Sequence, residues 1–168
     1  MLVTHKIVKD FYLKILFDII MSQAKAIQNL NNIKEEFIMK ELNEKVVEML
    51  NAEMWWLGTC GEEANVCPVG FKEVVDGKLV VGALHLTNTM ANLEKNNTIA
   101  VSVCSAKTMV GYQIKGTAEF VAEGPLADKW KGISEKMFKG KMATKGVLVI
   151  TPEKVISTTP GPANNKEL

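Results

Sequence analysis

Two devices for holding a flat, phosphorylated molecule lie close together in this chain. The first is Asn65–Gly70, where NVCPVG gives a strand with little side-chain relief. Pro68 removes a ladder donor, which favours a sheet edge or a bulge, and Gly70 lets another group approach the backbone. Extended backbone exposed in this way can read the edge of a heterocycle through its N–H and C=O groups. The second device is Thr87-Asn88-Thr89, hydroxyl and amide side chains ahead of a short helix expected over Met90–Asn96. A helix start offers unbonded N–H groups and the positive end of a dipole, and so accepts phosphate. Each device has a plainer reading. The strand features also describe a bulge that merely bends a barrel strand, and one Thr or Asn there is an ordinary N-cap. Three consecutive candidates exceed what capping uses, and the two devices side by side point to a nucleotide-like cofactor.

Other chemistries find no support in the residue pattern. All twenty positive charges are lysines, which weakens base readout and bidentate phosphate clamps alike, since both lean on the planar guanidinium fork. A formal net charge of +1 gives no pull toward nucleic acid or an anionic membrane. Cys60, Cys67 and Cys104 show no C-x-x-C spacing, and no other histidine in the body of the chain joins His85 to make a zinc site. Their apolar strand-like surroundings predict buried structural thiols in a reducing, cytoplasmic setting. There is no phosphate-binding Walker loop, no G-x-G-x-x-G and no G-x-S-x-G elbow. His85 follows a strand end and reads as a partly buried loop histidine, with a catalytic role as the alternative.

The elements that must position these residues follow from periodicity. Leu42, Val46, Met49 and Leu50 mark an amphipathic helix over 40–52. Strands are expected at Met54–Cys60, Asn65–Val75 and Lys78–Leu84, the last two joined by the tight turn Asp76-Gly77. In the second of them Cys67, Val69 and Phe71 make an apolar face opposite Val66, Pro68, Gly70 and Lys72. Trp55 and Trp56, adjacent in a strand, must face opposite ways. Thr98–Ser105 and Gly111–Val121 alternate cleanly, with Tyr112, Ile114, Ala118 and Phe120 on one face of the latter. A helix opening at Pro125 buries Leu126, Trp130, Ile133 and Met137. Val147–Ile150 and Val155–Thr158 finish the sheet. With no βαβ rhythm, an antiparallel barrel with a few covering helices fits best.

Residues 1–38 differ in texture from the domain at 39–168. All twelve glycines and all five prolines lie after Met39. Ile7, Phe11, Ile15 and Ile19 share one helical face, but Lys14 and Asp18 interrupt a run already too short to span a bilayer. The segment is a poor signal peptide. Two readings stay open: a helix packing on the domain or a partner, or an upstream mis-start. Lys34-Glu35-Glu36 permits codons that contain a ribosome-binding sequence before Met39.

From about Leu42 onward the chain resembles the FMN-binding split barrels of the pyridoxamine 5′-phosphate oxidase-like superfamily, especially their small flavoprotein members. The likeness rests on NVCPVGFKEVVDGKLVVG, TNTMANLEKNNTIAVSV, GYQIKGTAEFV and TPEKVISTTPGP in that order and spacing. The resemblance implies a mainly β fold, an antiparallel Greek-key split barrel with covering helices. It also implies a homodimer with FMN at the subunit interface. By the same analogy Val66, Cys67, Pro68 and Val69 line the isoalloxazine, Thr87, Asn88 and Thr89 surround the phosphate, and Lys72 and Gln113 lie near the cofactor. Relatives carry Arg or Lys where this chain has Asn88 and Thr89, which leaves weaker FMN binding or compensation by Lys107. The arginine-rich C-terminal motif of the true oxidases is missing, so oxidation of pyridoxamine phosphate is not expected. The function expected is transfer of hydride or electrons between a nicotinamide or protein donor and an acceptor. The alternatives are a non-catalytic flavin- or haem-binding module, or a barrel that persists as an interaction protein without its cofactor.

Overall fold

A computed structural model of the protein describes residues 20–23, 25 and 42–168. The chain divides into two units, Met1–Met39 and Lys40–Leu168. In the first, the described residues are helical. Ile7, Phe11, Ile15 and Ile19, and the start proposed at Met39, lie outside the described residues.

The second unit is built on one seven-stranded antiparallel sheet in the order β2-β1-β5-β6-β7-β4-β3. The strands are β1 (Trp55–Cys60), β2 (Ala64–Val69), β3 (Lys72–Val75), β4 (Lys78–Gly82), β5 (Thr98–Cys104), β6 (Gly111–Val121) and β7 (Val147–Ser157). Three helices accompany them: α1 (Glu44–Ala52), α2 (Thr87–Lys95) and α3 (Pro125–Phe138). The sequence predicts one interrupted strand over Asn65–Val75; the structure divides it into β2 and β3, which occupy opposite edges of the sheet. Only Gly70 and Phe71 join them. Three peptide units span at most about 11 Å, whereas the edges of a flat seven-stranded sheet lie about 29 Å apart. The sheet therefore curls until its edges nearly meet. This is a split barrel, and Pro68 sits on an edge strand as its missing N–H requires.

The concave side holds the main core, including Trp55, Leu57, Val101, Ile114, Leu148 and Ile150, with Val46 and Leu50 of α1. A second cluster lies across β4 and β7: Val80, Trp130 and Val147, with Phe71 packed against Trp130 at 4.5 Å between ring centroids. Successive residues of β4 thus bury opposite faces. Gly82 is required there, because a Cβ would collide with the Phe71 ring. The Asp76-Gly77 turn has positive φ at both residues (49° and 73°), the tight hairpin form expected of Asp-Gly.

Several expectations shift in register. Residues 147–157 form one strand rather than two, with a bulge against Lys115/Gly116 of β6. The buried face of α3 is Ala127, Trp130 and Ser134, and Met137 is 58% exposed. Phe120 is exposed although Tyr112, Ile114 and Ala118 of its face are buried. Trp55 is fully buried and Trp56 is 48% exposed, the opposition that a strand imposes.

Candidate functional site

The candidate site forms where edge strand β2 runs beside the start of α2. Asn65–Pro68 and His85–Thr89 line a pocket of about 230 Å³. Both sequence devices thus open onto one space. The helix begins one turn earlier than its apolar pattern suggests: Thr87, Asn88 and Thr89 form its first turn, and the N-cap is Leu86. Leu86 is buried in the main core, so a tertiary anchor, not a capping side chain, fixes where the helix starts. No side chain caps this terminus. The Met90 N–H is bonded to the Leu86 carbonyl at 2.8 Å. The N–H groups of Thr87, Asn88 and Thr89 have no such partner among the described residues, and they are a ready donor set for an anion.

The three side chains of that turn differ in role. Thr87 and Asn88 are exposed. Thr89 is only 1% exposed, and its Oγ1 accepts a hydrogen bond from Asn65 Nδ2 at 3.0 Å. Asn65 also reaches Thr59 Oγ1 at 3.4 Å, and Asn92 Nδ2 donates to the same hydroxyl at 3.3 Å and to the Glu63 carbonyl at 3.2 Å. This polar lattice pins α2 to β1 and β2, and so sets the distance between the two devices. Sequence reasoning missed Asn65, Leu86 and the placement of His85. The signal for Asn65 is its phase: it shares the inward parity of Cys67 and Val69, and a half-buried amide needs a partner.

Val66, Cys67 and Pro68 line the pocket with Thr87, Asn88 and Thr89; Val69, Lys72 and Gln113 do not. Val69 is in the main core. Lys72 Nζ donates to the Leu50 carbonyl, and to that of Asn51 at 3.3 Å, at the C-terminal end of α1. It also lies 5.0 Å from the Trp55 ring centroid, a cation–π contact. Burial lowers the Lys72 pKa, and Glu53 partly restores it. Lys107 stands in the turn between β5 and β6, away from this pocket. His85 is exposed rather than partly buried, with φ of 51°.

Gln113 belongs to a different surface. Strand register aligns Pro68, Trp56, Ser102, Gln113 and Ile156 in one row across the convex face from β2 to β7. Val66, 64% exposed, and Trp56 make this face apolar at the β2 end. Cys60 and Cys104 are exposed and Cys67 is half-buried, which corrects the expectation of buried thiols. Apolar flanking residues do not reveal which strand face a thiol takes.

Among the described residues no cluster of His, Cys, Asp and Glu could hold a metal ion. None of the described helices is long and apolar enough to cross a membrane.

Comparison with known proteins gives a consistent family. Residues 42–159 match the family described as pyridoxamine 5′-phosphate oxidase. Among solved structures, the chain is similar to HupZ of Group A Streptococcus, with 22% identity and a TM-score of 0.63 over 74% of this chain and 99% of that one. It is similar to an FMN-binding protein from Syntrophomonas wolfei subsp. wolfei at 19% identity and a TM-score of 0.60, covering 79% and 96% of the two chains. A NimC/NimA family protein from Clostridium acetobutylicum aligns at 14% identity and a TM-score of 0.58, over 80% and 95%. These likenesses show the fold. A comparison with curated proteins gives no match.

Proposed function

We infer the function from this premise: the chain belongs to the pyridoxamine 5′-phosphate oxidase family. On that footing it is an FMN-binding flavoprotein and an oxidoreductase. One observation carries the reading: an exposed edge strand and an uncapped helix start line the same pocket. The residues present fit FMN. The backbone N–H groups of Thr87, Asn88 and Thr89, with the Thr87 hydroxyl and the Asn88 amide, would hold the phosphate without any arginine. The backbone of Val66–Val69 would face the ring. Bound FMN supplies hydride or single-electron transfer between a nicotinamide or protein donor and an acceptor. The protein's part is to bind, orient and limit solvent access, and no side chain of the pocket is required as an acid or base.

The apolar β2 end of the convex face, with Trp56 and Val66 exposed, supports a homodimer in which a second copy covers these residues and brings its own surface, including Gln113, toward the cofactor. The end of α1 and the Trp55 ring already engage Lys72, which would act on the cofactor from outside the pocket lining.

The test is a visible spectrum of protein purified without added cofactor, repeated after adding FMN and gel filtration. A retained two-band flavin spectrum is expected, released when the protein is diluted to the monomer. A Soret band instead would move the reading to a haem-binding module. A colourless protein that refuses FMN would leave an interaction protein.

A further inference from the structure

The His85–Thr87 segment has a second cavity on it, of about 620 Å³. Its interior is apolar, with Leu84, Met90 and Phe120, and the exposure of Phe120 is explained by the ring facing this space. The opposite lip is the segment 141–145, which carries Lys141 and Lys145. Neither lysine has an ion-pair partner among the described residues. The lip is held in place from below. The Thr144 N–H donates to Ser134 Oγ at 3.2 Å, the Thr144 hydroxyl donates to the Gly146 carbonyl, and the Ala83 N–H donates to that same carbonyl at 3.1 Å. Ser134 and Thr144 are both buried. On the near side, His85 Nε2 lies 3.4 Å from Met142 Sδ, which ties the lip to the entry of α2. Glu94, on α2, is the one acid lining the cavity, so an anion is favoured at the lysine lip and disfavoured toward α2.

We propose that this cavity is a substrate-side site for an organic anion with an apolar body, such as an aromatic carboxylate or sulfonate. Its anionic group lies between Lys141 and Lys145, and its ring lies over Phe120 and Met90. The shared wall at His85–Thr87 sets that ring next to the cofactor pocket. The substrate role rests on the FMN reading above; the anion site itself does not. A preformed, mostly apolar space with a few convergent charges is the usual form of a small-molecule site.

The probe is 1-anilinonaphthalene-8-sulfonate, with neutral N-phenyl-1-naphthylamine as its uncharged counterpart, titrated by fluorescence into the full-length protein. Lys141→Ala combined with Lys145→Ala is expected to weaken the sulfonate about tenfold, as loss of two partly screened charges implies, and to leave the neutral probe unchanged. Ala143→Trp, which fills the cavity from its lip, weakens both probes. Saturation with the sulfonate shifts the long-wavelength flavin band of FMN-loaded protein. Sulfonate binding that ignores both variants would overturn the anion site. An unshifted flavin band would overturn its placement beside the cofactor. Failure of the wild type to bind FMN, with the probe pattern intact, would sink the flavoprotein reading and the substrate role while the anion site stands.

Discussion

Helix α1 begins on Asn43, whose Oδ1 accepts the Lys45 N–H at 3.0 Å, whereas α2 begins on Leu86, whose side chain lies in the core. The two helices are each nine residues long and both cover the main core. One is finished by its own chain. The other leaves its first turn to be completed from outside, although Thr87 stands one residue too late to cap it. The difference shows that a run of good capping residues does not ensure a cap. Where the helix starts is decided by the apolar residue that must be buried, and the polar residues that follow fall inside the first turn. Those residues then line the pocket with their N–H groups uncapped by any side chain. One helix start is thus closed by its own side chain, and the other leaves its first-turn N–H groups unbonded.

The largest expected effect tests how α2 is held. Asn65→Ala leaves the buried Thr89 hydroxyl without its partner, and urea unfolding should lose about 2 kcal/mol. A variant as stable as wild type would mean that the lattice does not fix the open terminus. Asn88→Asp sharpens the contrast because its two effects have opposite signs. A carboxylate in the first turn should stabilise the apoprotein by about 0.5 kcal/mol, yet repel the phosphate and weaken FMN about tenfold. Unchanged affinity in a flavin titration would remove the phosphate from this helix end. Asn43→Ala is the control at the closed terminus: about 1 kcal/mol less stable, with FMN affinity unaltered. The smallest effect concerns the far end of α1. Because burial lowers the folded-state pKa of Lys72, the unfolded chain holds that proton to higher pH. Its contribution to stability therefore rises between the folded value and the ordinary lysine value. Urea midpoints compared at neutral and alkaline pH should show Lys72→Met flattening that rise.

Alternation made most of the sheet legible. Trp55 against Trp56, the faces of β5, and the Asp76-Gly77 turn all follow from period two and glycine chemistry. The division of β2 from β3 was not legible, since Gly70-Phe71 reads equally as a bulge within one strand. Phe71 shows why. Its parity matches Cys67 and Val69, but its ring joins Trp130 in the second cluster, a partner about sixty positions away that no local pattern indicates. Met137 fell to the same cause: the face of α3 is set by where Trp130 finds Phe71, and the helical period alone leaves the rotation free. In the pocket, residue types showed where polar groups were in excess. They did not show that Thr89 is committed to Asn65 while Thr87 and Asn88 remain available.

The place of β7 in the sheet has a consequence for how the chain is made. The strand over Val147–Ser157 lies between β6 and β4, and among the described residues no other strand connects the β3–β4 hairpin to the rest of the sheet. During synthesis from the N-terminus, β2, β1, β5 and β6 can pair as they emerge, whereas the hairpin must wait some seventy residues for its neighbour. Closure of the barrel is then a late event governed by distant contacts, a slow class of folding step. Until the last strand arrives, Leu79 and Val81 stay uncovered by it, and a ribosome stalled before Val147 would hold a chain with an apolar hairpin and nowhere to place it.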